Sequence, residues 1–255
     1  MIEDLKITII QSEIIWEDIK SNIEIFDKKI NFIKEKTDLI LLPEMFTTGF
    51  TMNAARFAES MGDETVAWLK KKSEEKEADI AGSIIIKEKG KFFNRLVWAR
   101  SDGKIEIYDK KHLFSIAGED KVYSGGTKKT FVDLKGWRIA PFICYDLRFP
   151  IWSANLNTVY DIAIYNANWP AKRSYAWDAL LYARAIENQS YIAGINRIGT
   201  DGNGVLYSGG SKIIDPLGAP IFNAEAKEII YTQTLKFEPL DKYRKNFPVI
   251  KDASA

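Results

Sequence analysis

Two residue types are nearly missing from this 255-residue chain, which has one cysteine and one histidine. A lone Cys144 excludes an intrachain disulfide framework and fits a reducing compartment. A lone His112 excludes the His- and Cys-rich ligand set of a zinc site and leaves any Cys–His dyad a single candidate partner. Charge of one sign is also missing: 36 Lys and Arg against 35 Asp and Glu give +1, with no basic or acidic block. Neither nucleic acid nor a membrane surface is therefore an expected partner. No apolar run approaches the length of a membrane span. The first residues, Met-Ile-Glu-Asp-Leu-Lys, lack a basic stretch followed by an apolar one, so no secretory signal is read and a cytoplasmic protein is expected. A Gly-x-Gly-x-x-Gly fingerprint and a P-loop are both absent, so nucleotide binding has no support, and no cofactor or metal is expected.

What is present is strand and helix patterning. Leu5–Ile10 alternates and predicts a strand, and Ile19, Ile23, Phe26, Ile30 and Ile33 recur at helical steps within 16–36. Asp38–Leu42 predicts a buried strand and 63–77 a charged helix. Asp79–Lys87 and Phe92–Arg100 predict a hairpin, with Ile105–Asp109 after the Asp102-Gly103 turn. Trp137–Cys144 and Asp161–Ala167 are further strands, Pro150 opens a helix over 150–157, and Ser174–Gln189 is helical. Strands follow at Ser190–Arg197, Val205–Ser208, Lys212–Ile214 and Ile229–Leu235, then a loosely patterned polar tail from about Glu238. No linker or repeat divides the chain, so 1–255 is expected to be one domain. This mix predicts sheets covered by helices on one face and packed on each other by the other face.

Three segments share one grammar, an apolar strand ending at a reactive side chain. Leu39–Leu42 leads to Pro43-Glu44, Ile105–Asp109 to Lys110, and Phe142-Ile143 to Cys144. If these strands are neighbours, a carboxylate, an amine and a thiol meet at one rim. The carboxylate would serve as general base, and the ammonium would lower the thiol pKa and stabilise an oxyanion. The backbone N–H of Tyr145 is a second candidate oxyanion donor. A buried structural cysteine and a solvated Glu44 are the alternatives.

Leu-Pro-Glu at 42–44, Tyr-Asp-Lys-Lys-His-Leu-Phe at 108–114 and Ile-Cys-Tyr-Asp-Leu-Arg-Phe-Pro at 143–150 resemble the carbon–nitrogen hydrolase (nitrilase) superfamily. Asn-Trp-Pro at 168–170 and Ala-Arg-Ala-Ile-Glu-Asn-Gln at 183–189 extend the resemblance, which runs from about Ile7 to about Leu235. It implies an α+β fold, a four-layer αββα sandwich, assembled as a homodimer or larger homo-oligomer, with a Glu44-Lys110-Cys144 triad. The family pattern of Lys, any residue, His-Leu selects Lys110, and strand alternation turns Lys111 the other way. His112 is expected to pack beside the site. Glu119, in Ala-Gly-Glu-Asp at 117–120, lies where the resemblance expects a second glutamate, and an ordinary loop acid is the other reading. Arg184 and Glu187, three apart on a helix, read as a structural ion pair.

Within the superfamily, Glu44–Met52 and the Cys144 motif look most like the ω-amidase branch, which implies hydrolysis of the terminal amide of small 2-oxo acids through a cysteine thioester. Such a substrate carries a carboxylate, for which Arg148 and Arg173 are the candidates, each equally readable as a structural ion-pair partner. Phe46, Phe50, Met52 and Trp169 are candidates for an apolar wall. Another superfamily activity (aliphatic amidase, N-carbamoyl hydrolase, nitrilase) and a non-catalytic binding protein on the same fold stay open.

Overall fold

The protein is described from a computed structural model covering residues 2–252. Its strands are β1 (Leu5–Gln11), β2 (Leu39–Leu41), β3 (Asp79–Glu88), β4 (Lys91–Ala99), β5 (Ile105–Asp109), β6 (Val132–Leu134), β7 (Trp137–Ile143), β8 (Ile162–Ala167), β9 (Tyr191–Asn196), β10 (Ile198–Thr200), β11 (Leu206–Ser208), β12 (Lys212–Ile214), β13 (Pro220–Asn223) and β14 (Ile229–Leu235). Its helices are α1 (Ile19–Phe32), α2 (Ala54–Phe57), α3 (Glu64–Lys76), α4 (Glu119–Val122), α5 (Pro150–Ser153), α6 (Ser174–Asn188), α7 (Phe237–Asn246) and α8 (Val249–Asp252). One six-stranded sheet runs β14-β1-β2-β3-β4-β5 and a second β13-β12-β9-β8-β7-β6, with β10 and β11 paired apart. In each, three parallel strands are flanked by antiparallel ones: β1, β2 and β3 in the first, β7, β8 and β9 in the second.

Strand alternation builds the layers, because successive side chains leave opposite faces of a sheet. In β1, β2 and β4, Leu5, Ile7, Ile9, Leu39, Leu41, Leu96 and Trp98 join the core shared with the second sheet. Their neighbours Ile10, Ile40, Val97 and Ala99 face the other way, onto Phe26 and Ile30 of α1 and Val66 and Leu69 of α3. The second sheet is covered by α6 through Trp177, Leu181 and Ala185. A Cβ at Gly194 of β9 would lie 2.7 Å from Leu181 and 2.8 Å from Trp177, so glycine sets how close α6 sits. The result is helix, sheet, sheet, helix: the αββα sandwich. No helix among the described residues is long and apolar enough to cross a membrane.

Two local expectations need correction. The helix expected over 150–157 stops at Ser153. Asn155 ends it, its Nδ2 donating to the carbonyls of Tyr160 and Asn188, and Asn157 takes a left-handed φ of 60°. The segment read as a loosely patterned tail forms α7 and α8. Leu240 and Ile250 are buried there, and Arg244 reaches Asp161 at 2.6 Å and donates to the Tyr160 and Gln189 carbonyls. Two widely spaced apolar anchors and one arginine hold a segment whose hydrophobic pattern is otherwise faint.

Candidate active site

Cys144 leaves β7 at φ 43°, the left-handed region that a side chain disfavours, and starts a 3₁₀ turn, Cys144–Arg148. This is a strand-to-helix elbow of the kind that projects a nucleophile. Asp146 locks it. Its carboxylate accepts from Ile143 N at 3.1 Å, Tyr108 Oη at 2.7 Å and His112 N at 2.9 Å, and pairs with His112 Nδ1 at 2.8 Å. His112 also stacks on Phe149 at 3.8 Å between ring centres, so it ties the lysine segment to the cysteine elbow. Arg184 donates to Leu147 O at 2.6 Å and to Glu187 at 2.8 Å, supporting the same turn from α6.

The ends of β2, β5 and β7 bring Glu44, Lys110 and Cys144 together, and α4 adds Glu119. Glu44, Lys110 and Glu119 are almost wholly buried, and Cys144 is 9% exposed. Lys110 Nζ donates to Glu44 Oε1 at 2.8 Å and to both Glu119 oxygens at 3.0 Å. Asn94 Nδ2 donates to Glu44 Oε1 at 2.8 Å, and Asn168 N to Glu44 Oε2 at 2.8 Å. Phe114 N donates to Glu119 Oε2 at 2.6 Å. The Glu44 carboxylate faces the Cys144 thiol, close enough to raise its pKa. Three other donors occupy three of about four lone-pair positions on Glu44, so one remains for the thiol proton.

Burial would strip the Lys110 ammonium of its proton, but the Glu119 and Glu44 charges outweigh it and hold its pKa above the usual lysine value. Burial raises the Glu119 pKa, with Lys110 opposing and Glu44 reinforcing the shift. The expected lowering of the thiol pKa by Lys110 is present but outweighed. Burial first, then the Glu44 carboxylate, push the Cys144 thiol well above its ordinary value, and Lys110 offsets only part of this. A thiol in that state is neutral at rest and needs a base at the moment of attack.

Above this floor opens a cleft of about 940 Å³ bordered by Lys110 and Cys144. Phe50, Met52, Tyr145, Arg148, Trp169 and Arg173 all line it. Phe46 does not: it is buried against Phe26 and Trp68 under the helical layer, because it points from the loop after β2 to the outer face. Arg148 lies over the Trp169 ring at 5.0 Å and Arg173 over Phe114 at 5.1 Å. Among the described residues neither guanidinium has a carboxylate partner. Sequence reasoning missed Asn94, Asp146 and the β10–β11 hairpin, whose Asp201 and Tyr207 close the cleft on one side. A signal for Asn94 was present: a polar residue two and four before Leu96 and Trp98 on a strand whose same face is core.

The position of Lys110 depends on a tight approach. Gly126 N donates to Lys110 O at 2.8 Å, and a Cβ at Gly126 would fall 2.2 Å from Asp109 O. Gly126→Ala is expected to displace the end of β5 and lower kcat/KM by about 100-fold, as ångström-scale misplacement does. Steady-state kinetics check this, and unchanged kinetics would show that the loop yields without moving Lys110.

A sequence profile of the family described as carbon-nitrogen hydrolase matches residues 6–245. The chain is 46% identical to omega-amidase YafV of Escherichia coli (strain K12), over 98% of its own length and 96% of that protein's. It is 33% identical to 2-oxoglutaramate amidase of Bacillus subtilis (strain 168), over 88% and 90%. A CN-hydrolase superfamily protein from Xanthomonas campestris, solved with an arsenic adduct in its active site, superposes with a TM-score of 0.96 at 39% identity, covering 98% of this chain and 97% of that one. Fold, strand-end geometry and these likenesses agree: the chain belongs to the carbon–nitrogen hydrolase family.

Proposed function

We propose that the protein is an ω-amidase, hydrolysing the terminal amide of small 2-oxo acid amides such as 2-oxoglutaramate and 2-oxosuccinamate to the dicarboxylate and ammonia. The observation that carries the reading is a buried Glu44-Lys110-Cys144 cluster beneath a cleft with two arginines that have no carboxylate partner among the described residues. Its similarity to omega-amidase YafV and 2-oxoglutaramate amidase supports this substrate class over other amides and nitriles.

In this reading Cys144 Sγ bonds to the amide carbon as its proton passes to Glu44. Lys110 Nζ and the Tyr145 N–H hold the oxyanion; Tyr145 lies in the first turn of a helical segment, where N–H groups lack intrahelical partners. Collapse breaks the C–N bond, Glu44 returns the proton to nitrogen, and ammonia leaves a thioester on Cys144. Water attacks that carbon while Glu44 takes its proton, the C–S bond breaks, and the proton returns to sulfur. Glu119 accepts from Lys110, Asn94 and Phe114 N and faces no acceptor, so it serves as a fixed anion holding Lys110 rather than as an acid. Phe50 and Trp169 flank the substrate, and Arg148 and Arg173 offer free guanidinium edges to its carboxylate. The reading also takes 1–255 as one catalytic domain acting as a cytoplasmic homo-oligomer.

Ammonia release from 2-oxoglutaramate, beside glutamine, a simple nitrile and an N-carbamoyl amino acid, tests the substrate. Turnover of the 2-oxo amide alone supports the proposal, and turnover of another substrate alone rejects it. Arg173→Ala is expected to raise KM for the carboxylate-bearing amide by about 10–100-fold, the loss of a charged hydrogen bond, with little change for a neutral amide. Equal effects on both would remove Arg173 as the anchor.

A further inference from the structure

Asn94 sits on β4, 1% exposed, at the rim where the two sheets meet. Its Nδ2 lies 2.8 Å from Glu44 Oε1 and 3.4 Å from Glu119 Oε1, one hydrogen for each carboxylate. Carboxylate oxygens accept, so the amide nitrogen must face them. The Oδ1 then points away, and it is buried without a partner. A buried, unsatisfied carbonyl oxygen is a cost that an apolar side chain of similar size would not carry. The compensation lies on the nitrogen side.

The charge inventory says what that compensation is. Two buried carboxylates share one cation, Lys110. Asn168 N serves Glu44 alone and Phe114 N serves Glu119 alone. Among the described residues, Asn94 is the side chain besides Lys110 that is bonded to both. Carboxylates crowded around one charge tend to take up a shared proton. A proton on Glu44 would fill the position that the thiol needs.

We propose that Asn94 is a positioning residue that keeps Glu44 and Glu119 ionised together beside Lys110, leaving Glu44 free to accept the Cys144 proton. This rests on the thioester reading above and adds a residue to it. The other groups facing the pair do not replace Asn94. Tyr123, at the end of α4, donates to Thr51 O, and Tyr207 of β11 donates to Asp201. Burial, then nearby carboxylates, raise both phenols far above neutrality, so they stay uncharged. Glu17 is held by Thr51 Oγ1, and His112 is engaged by Asp146.

The test is the pH dependence of Cys144 alkylation by iodoacetamide in the wild type, Asn94→Ala and the isosteric Asn94→Asp, with melting temperatures recorded. It needs no substrate, so it is independent of the ω-amidase assignment. The rate should fall at low pH as the buried carboxylate pair takes up a proton. In Asn94→Ala that acid limb is expected to move up by about one pH unit or more, with rates recovering to within about threefold of wild type on the alkaline side. Asn94→Asp keeps the packing and adds a third acid, so its limb should move further up. A residue that merely fills space would lower the rate evenly with pH; limbs unmoved in both variants overturn the proposal. Moved limbs in a protein that releases no ammonia from 2-oxoglutaramate keep the Asn94 role and reject the substrate reading.

Discussion

Cys144→Ala is expected to lower kcat by about 10^6-fold, the scale of loss when a covalent nucleophile is removed. Turnover through a thioester has no second route here, since no other cysteine exists. The variant should fold, because the elbow is fixed by Asp146 and by Arg184 rather than by the sulfur. Glu44→Gln should cost about 10^2- to 10^4-fold, the range for a general base. Its amide nitrogen would also face the Asn168 N–H, the Asn94 amide or Lys110, all of them donors. Stopped-flow measurement of thioester formation tests both variants: neither should show a burst, and a normal burst in Glu44→Gln would remove Glu44 as the base of acylation.

Lys110→Met should both abolish turnover and destabilise the fold. It deletes the cation from a site holding two buried carboxylates, and breaking such a buried pair costs about 3–5 kcal/mol. The neighbouring Lys111→Ala should change stability by no more than about 0.5 kcal/mol and leave kcat near wild type. Lys111 points away from the cluster, with its ammonium 5.4 Å from the centre of the Trp152 ring. Urea unfolding and ammonia-release kinetics on both variants test the contrast. A catalytically dead Lys111→Ala beside an active Lys110→Met would reassign the amine.

Much of the site was legible in the sequence because its chemistry follows the chain. Lys110 and Cys144 come directly after β5 and β7, Glu44 follows β2 by way of Leu42-Pro43, and short local motifs surround them. Alternation in β1 and β4 likewise marks which side chains enter the inter-sheet core, since the two-residue period is a property of any extended chain. The alternating strands and the helices between them were enough to expect two packed sheets with helices outside.

What the sequence by itself determined is thus which candidate residues meet at the strand ends, their order and the layered architecture. The tertiary structure alone decided how those residues are tuned. Asn94 and Glu44 are 50 residues apart, and only the packing of β4 beside the loop after β2 puts them 2.8 Å from each other. Burial raises the thiol pKa where the lysine alone would have lowered it, because desolvation depends on the whole enclosure and not on the nearest charge. Phe46 goes to the helical layer while Phe50, four residues on, reaches the cleft, with a turn between them in which Gly49 N donates to Met45 O at 2.8 Å and Gly49 takes φ 74°. The faint pattern after Glu238 becomes helical only because Leu240, Arg244 and Ile250 find partners on the finished sandwich. Local rules place a side chain at the end of a strand; the free energy of its charge is set by groups that distant strands bring to it.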